Sequence, residues 1–272
     1  MNADIFSDLP EGIQPTNVVE FYGVEGCGKT EMLIHLIASS ILPKTWKDLA
    51  LHGCEVSVIF IDTDYHFNLV RLIKVLEQRI LKAIRIIQQS HGETNSKALS
   101  SYPEKYNDLN QFVKSCLDRL YIIRCNSSLE LLASTASLEQ LLAAKPGVSI
   151  IMIDSIGAFY WVDKSTFGES SNDQDRNQNR VVLLLSKYVK DFQLILIATK
   201  HAIFESSSFD KNSHREYLCP AWQRLVNYRY KFECFGGAHC SQPTFIAKRI
   251  FPKSSKSFKF SINDSGIKFD TR

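Results

Sequence analysis

Five short apolar runs punctuate the first two hundred residues: 17–22 (NVVEFY), 55–62 (EVSVIFID), 120–125 (LYIIRC), 149–154 (SIIMID) and 193–199 (QLILIAT). Each has strand length and little polar alternation, the pattern of a strand buried on both faces. Between them the spacing is helical. Met32, Leu33, Leu36, Ile37 and Ile41 share one face of a helix over 30–42 that Pro43 ends, and Leu69, Leu72, Ile73, Leu76, Ile80 and Ala83 form a second such face. Residues 128–144 predict a helix opened by a serine cap, and 180–190 another. Buried strands alternating with amphipathic helices specify the α/β class, with a doubly wound, mainly parallel sheet covered on both faces. Beyond residue 220 the runs become shorter, aromatic and alternating (LVNYRYKFECF, TFIAKRIF, SFKFSI, GIKF), separated by Gly, Pro and Ser. They predict C-terminal antiparallel strands that extend the sheet edge.

Two polar stretches, 90–110 and 163–179 (DKSTFGESSNDQDRNQN), lack a core-forming pattern and read as surface connections inside one domain. The length of 272 residues suits that reading, with 1–16 as a tail and 17–272 as the core. Composition changes little: 44% hydrophobic and 22% charged residues mark an ordinary globular chain, and a net charge of +3 means that any polyanion would need a local basic patch. The seven cysteines include no C-x-x-C pair and read as reduced, buried thiols of an intracellular protein. Cys234, His239 and Cys240 cluster but lack a second pair at zinc-finger spacing, so no metal site is expected there. Residues 1–14 hold acids and no apolar stretch, and Asp154 interrupts the longest apolar run, 148–162; neither a signal peptide nor a membrane span is expected.

The candidate chemistry sits at 21–33, FYGVEGCGKTEML, an unbroken G-x-x-x-x-G-K-T between a strand and a helix. In the loop Gly23, Val24, Glu25, Gly26, Cys27, Gly28, Lys29, Thr30, the glycines let backbone N–H groups wrap a phosphate and the helix adds the positive end of its dipole. Lys29 would meet the β/γ-phosphates of ATP, and the Thr30 hydroxyl a Mg²⁺ ion. Asp154, ending the SIIMID strand, is placed to hold that ion's waters. Hydrolysis needs in addition a group that orients the attacking water, and the candidates lie in IDTDYHFNLVRL after the second strand.

The glycine loop, the strand ending Ile-Asp-Thr-acid, Phe67, the pair Arg71–Leu72, IMIDSIGAFY, LILIAT and the C-terminal antiparallel runs together resemble the ATPase core of RecA-type DNA recombinases, over nearly the whole chain. GKTEMLIHLIASSILPK, FIDTDYHFNLVRL, DSIGAFYWVD and PAWQRLV resemble the eukaryotic paralogues that assist strand exchange. The resemblance implies a RecA-like P-loop NTPase core that binds ATP and Mg²⁺, with Arg71 packed against the adenine. Asp64 stands where active members carry a water-polarising glutamate, and His201 where they carry a γ-phosphate-sensing glutamine. Aspartate is a methylene shorter, and a misplacement of about 1 Å costs roughly a hundredfold in rate. His201 is either a sensor or a satisfied strand-end imidazole.

DNA contacts in the family come from two loops, matching 163–179 and 202–219 here. The first is net acidic; the second offers Lys211 and Arg215 among aromatic residues. Lys248, Arg249 and Lys253, with Lys256 and Lys259, form a further basic candidate, or a lysine-guarded edge strand. The helical domain that active recombinases carry ahead of the core has no counterpart in residues 1–16. The pair Ile5 and Phe6, read as exposed, would dock into a neighbour or lie in a disordered tail. The implied role is a nuclear subunit of a recombinase-paralogue complex. It would pack against a D-type paralogue and assist recombinase loading on single-stranded or forked DNA in homologous-recombination repair, at stalled forks and in meiosis, with weak or no ATP turnover. The alternatives are an autonomous DNA-dependent ATPase and, more distantly, a P-loop metabolite kinase, which the acidic 163–179 fits poorly for want of an arginine-rich lid.

Overall fold

The computed structural model describes residues 4–90, 108–167, 171–203, 216–235 and 243–270. Its strands are β1 (Val18–Gly23), a small pair β2 (Thr45–Trp46) and β3 (Leu49–Ala50), β4 (Ser57–Asp62), β5 (Leu120–Arg124), β6 (Val148–Asp154), β7 (Ile195–His201), β8 (Tyr228–Phe235), β9 (Thr244–Phe251), β10 (Ser257–Asn263) and β11 (Gly266–Phe269). The helices are α1 (Lys29–Ile41), α2 (Leu69–Ser90), α3 (Leu109–Leu117), α4 (Ser128–Ala144), α5 (Tyr160–Phe167), α6 (Ser171–Asp191) and α7 (Pro220–Leu225). All strands but β2 and β3 join one sheet in the order β11-β10-β9-β8-β1-β7-β6-β4-β5.

Successive strand residues point to opposite faces, so each apolar run splits between two cores. Val19, Phe21, Val58, Phe60, Ile150, Met152, Ile195 and Ile197 face α1 and α2, while Val18, Ile59, Ile61, Ile151, Ile153, Leu196 and Ala198 face α4 and α6. Burial on both faces is why the runs show no polar alternation.

The structure departs from the sequence reading in five places. Residues 163–179 are helical where described, belonging to α5 and α6. From 171 to 191 the chain has neither Gly nor Pro, and the apolar face at 181–189 propagates its helix back through the polar tract. The first aromatic C-terminal run, β8, pairs parallel with β1 and antiparallel with β9, so it joins the two halves of a mixed sheet. The basic run 248–259 lies on β9, β10 and their connection, inside the sheet order; β11 is the edge. Helix α3 escaped notice because its buried Leu109, Val113 and Cys116 abut a polar stretch. Most of that stretch, 91–107, together with Lys211, Arg215, His239 and Cys240, lies outside the described residues.

The fifth departure is the N-terminal segment. Ile5 and Phe6 are buried in the chain's own core rather than exposed. Phe6 packs on Phe21 and Tyr230, with ring centroids 6.5 and 5.9 Å away. Asp8 accepts from the Tyr230 hydroxyl (3.0 Å) and pairs with Arg249 (2.8 Å). Residues 4–13 thus complete the core instead of forming a tail, because two large apolar side chains gain more from burial than from solvent. Phe6→Ala is expected to destabilise the chain by about 3 kcal/mol or more, read from its urea unfolding midpoint; a shift near zero would show that this packing is dispensable.

Candidate nucleotide-binding cleft

Parallel register brings the functional side chains to one rim. Gly23 at the end of β1 pairs with His201 at the end of β7, and Asp62 at the end of β4 with Asp154 at the end of β6. A cleft of about 200 Å³ opens at these carboxyl ends, where α/β sheets place their ligand sites. Glu25, Gly26, Gly28, Lys29, Thr30, Asp64, Asp154 and His201 all line it, so most of the predicted set converges.

The loop geometry depends on glycine. Gly26 and Gly28 have φ of 72° and 89°, the left-handed region that L side chains rarely adopt. A Cβ on Gly28 would also come within 3.3 Å of Ile262 and Phe245, so the loop is seated on the C-terminal strands. Lys29 is buried and its ammonium donates to the carbonyls of Gly23 (2.9 Å) and Val24 (2.7 Å). Thr30 donates to Asp154 Oδ2 (2.7 Å), and the Thr199 hydroxyl donates to the other Asp154 oxygen. Burial raises the Asp154 pKa, against the pull of those two hydroxyls. A hydroxyl and a carboxylate in contact, below a loop of backbone N–H groups, form a hard-oxygen donor set that fits Mg²⁺ and a phosphate chain.

The two positions that depart from the recombinase pattern touch each other: His201 Nε2 lies 2.9 Å from Asp64 Oδ2. Burial works to raise the Asp64 carboxyl, but the hydrogen bond and charge of His201 outweigh it and hold the pKa below the ordinary 3.8. The neighbouring Asp62 is fully buried, and burial together with the Asp154 charge raises its carboxyl.

Arg71 does not line the cleft. Its guanidinium makes a bidentate contact with Glu31 and donates to the carbonyls of Asn263 (2.6 Å) and Asp264 (3.0 Å), clamping α2 and α1 to the β10–β11 turn. Among the DNA candidates, Lys248 and Lys253 are exposed, whereas Arg249 is engaged by Asp8 with only 14% of its side chain accessible.

Sequence reasoning missed the buried polar layer beside the cleft. Glu20, fully buried on β1, accepts from Trp222 Nε1 (2.6 Å) and from Arg229; Lys200, fully buried on β7, pairs with Glu216 (2.5 Å). The Tyr217 hydroxyl donates to the His201 carbonyl (3.1 Å) and would block a Cβ on Gly157 at 2.6 Å. A lone acid or lysine within an apolar strand, as in NVVEFY and ILIATK, was the available signal.

A carboxylate with a lowered pKa adds stability above its unfolded-chain value, and that stability is lost as pH falls through the folded value. Asp64→Asn is therefore expected to lose less stability than the wild type between about pH 4 and 2, read from urea midpoints across that range. Parallel acid limbs would show that the Asp64–His201 contact carries no charge interaction.

No family model matches the chain. The DNA repair protein XRCC2 of Mus musculus is 35% identical to it over 282 aligned residues, taking in 99% of this chain and 90% of the relative. The DNA repair protein XRCC2 homolog of Arabidopsis thaliana is 30% identical over 251 residues, 78% of this chain and 68% of that protein. The DNA repair protein RAD51 homolog 2 of Mus musculus is 26% identical over 150 residues, 55% of this chain and 35% of that protein. With its mainly parallel sheet, flanking helices and C-terminal antiparallel strands, the fold is RecA-like. Identity sustained along nearly the whole length places the chain in the XRCC2 family of DNA repair proteins, among the RAD51 paralogues.

Proposed function

We propose that this chain is an ATP-binding subunit of a nuclear recombinase-paralogue complex. It assists loading of the strand-exchange recombinase on single-stranded or forked DNA during homologous-recombination repair of double-strand breaks, at stalled forks and in meiosis. Lys29 and the loop N–H groups hold the phosphates, and Thr30 with Asp154 holds Mg²⁺, which supplies neutralisation of phosphate charge. Arg71 neutralises Glu31 at the cleft and fixes the β10–β11 turn. A D-type paralogue is the most direct partner. Ile122 on the terminal strand β5 and Leu129 on α4 are apolar and exposed, which supports an assembly face on that side. Among the described residues no helix is long and apolar enough to cross a membrane.

The observation that carries weak turnover is the contact between Asp64 and His201. A carboxylate that orients an attacking water must present a free lone pair to it. Here Asp64 is a methylene short and its Oδ2 already accepts from an imidazole at 2.9 Å. The retained loop then serves binding and interface integrity rather than a catalytic cycle.

Two measurements test this. Purified chain, alone and with single-stranded DNA, is expected to release phosphate slowly, while Asp64→Glu/His201→Gln raises the rate by roughly tenfold or more. Fast wild-type turnover would favour the autonomous DNA-dependent ATPase. In a complementation assay Lys29→Ala is expected to be largely tolerated, and a null phenotype would sink the non-catalytic reading.

A further inference from the structure

A groove of about 1140 Å³ shares no lining residue with the cleft. It lies between the N-terminal turn at Asp4–Phe6, the middle of α1 and α2, and the strands β10 and β11. At its floor the half-buried Arg79 donates to Ser39 Oγ (2.8 Å) and the His35 carbonyl (3.0 Å) and meets His35 Nδ1 at 2.8 Å. These partners are neutral: burial and the Arg79 charge depress His35 to about 3, so its ring nitrogen accepts. Burial likewise draws Arg79 itself down to about 10, with Asp4 the opposing charge, and Arg79 makes no ion pair among the described residues. A half-buried guanidinium with neutral partners leaves anion affinity in hand.

The rim carries the same sign. Lys82, Lys256, Lys259 and Lys268 are exposed around Arg79, against Asp4 and Asp270. Phe258, Ile267 and Phe269 add an apolar strip. Its rings are engaged within the chain: Phe269 stands edge-on to His35 at 5.9 Å and Phe258 tilts against Tyr230 at 6.5 Å. They offer apolar contact rather than free faces for stacked bases, whereas Trp161 on α5 is half exposed. The adjoining surface already accepts a segment of the complementary kind. In residues 4–8 (DIFSD) the apolar Ile5 and Phe6 are buried, Asp8 pairs with Arg249, and Asp4 reaches the groove. Strand β11 ends the sheet, so an extended chain laid here runs beside a strand edge.

We propose that this groove docks an extended acidic segment of a partner protein, its carboxylates falling on Arg79, Lys82 and Lys268 and its alternating apolar side chains on Phe258, Ile267 and Phe269. The proposal is independent of nucleotide binding at the glycine loop. Lysines suit such a segment because rim charges steer and select partners, while the apolar strip supplies contact area.

The test uses fluorescence anisotropy with the full chain and three labelled probes: a short peptide alternating Glu and Leu, the same peptide with Lys for Glu, and an oligothymidylate. The acidic peptide is expected to bind, the lysine peptide not, and Lys82→Glu/Lys268→Glu to weaken the acidic peptide by about tenfold or more with an unchanged melting temperature. Exposed lysines are chosen because Arg79 also ties α2 to α1. Failure of the wild type to bind the acidic peptide, or equal binding by the double variant, overturns the proposal. So does loss of oligothymidylate binding in the variant with peptide binding intact, which assigns the groove to nucleic acid.

Discussion

A single buried carboxylate organises the carboxyl end of the sheet. Asp154 lies under the glycine loop with one oxygen on Thr30 of α1 and the other on Thr199 of β7. A buried charge must be hydrogen-bonded or neutralised, and the two hydroxyls meet that demand from opposite sides. Helix α1 is thereby pinned to the strand ends, which fixes the height of the loop above the sheet. The same rim carries Thr63, whose hydroxyl donates to the Ser155 carbonyl and whose backbone N–H donates to the Asp154 carbonyl at 2.8 Å in each case. The ends of β4, β6 and β7 are therefore tied together and to the glycine loop.

Beneath that rim, Glu20, Arg229, Glu216 and Lys200 form a chain of alternating charge between β1, β7, β8 and the segment before α7. In a low-dielectric setting such a chain rigidifies only when each member is paired, as these are. Burial lowers the Lys200 pKa while the two glutamates oppose the shift. Tyr217 adjoins this network and donates to the His201 carbonyl, so the second departure from the recombinase pattern is tied to the buried charge chain.

The fold was largely legible because its signals are local: strand runs, helical spacing and an eight-residue loop motif each specify themselves within a short window. Contacts between distant positions were not. Asp64 and His201 were each identified as departures, but their mutual contact spans 137 positions and follows from the side-by-side order of β7, β6 and β4, which no local pattern encodes. Arg249 read as a free cation because its partner Asp8 lies at the other end of the chain. Residues 163–179 read as a loop because polar composition hides a helix that is propagated from its apolar end.

The pairing of Asp8 with Tyr230 joins residues 222 positions apart, and Phe6 meets the same ring edge-on. During vectorial synthesis Ile5 and Phe6 would have to wait for β8 and β9, more than two hundred positions later, before their apolar side chains are covered. Contacts of such long sequence separation are slow to close and leave hydrophobic surface exposed meanwhile. Two segments far apart in sequence thus latch one core, so that its maturation is decided when β8 and β9 arrive rather than progressively along the nascent polypeptide.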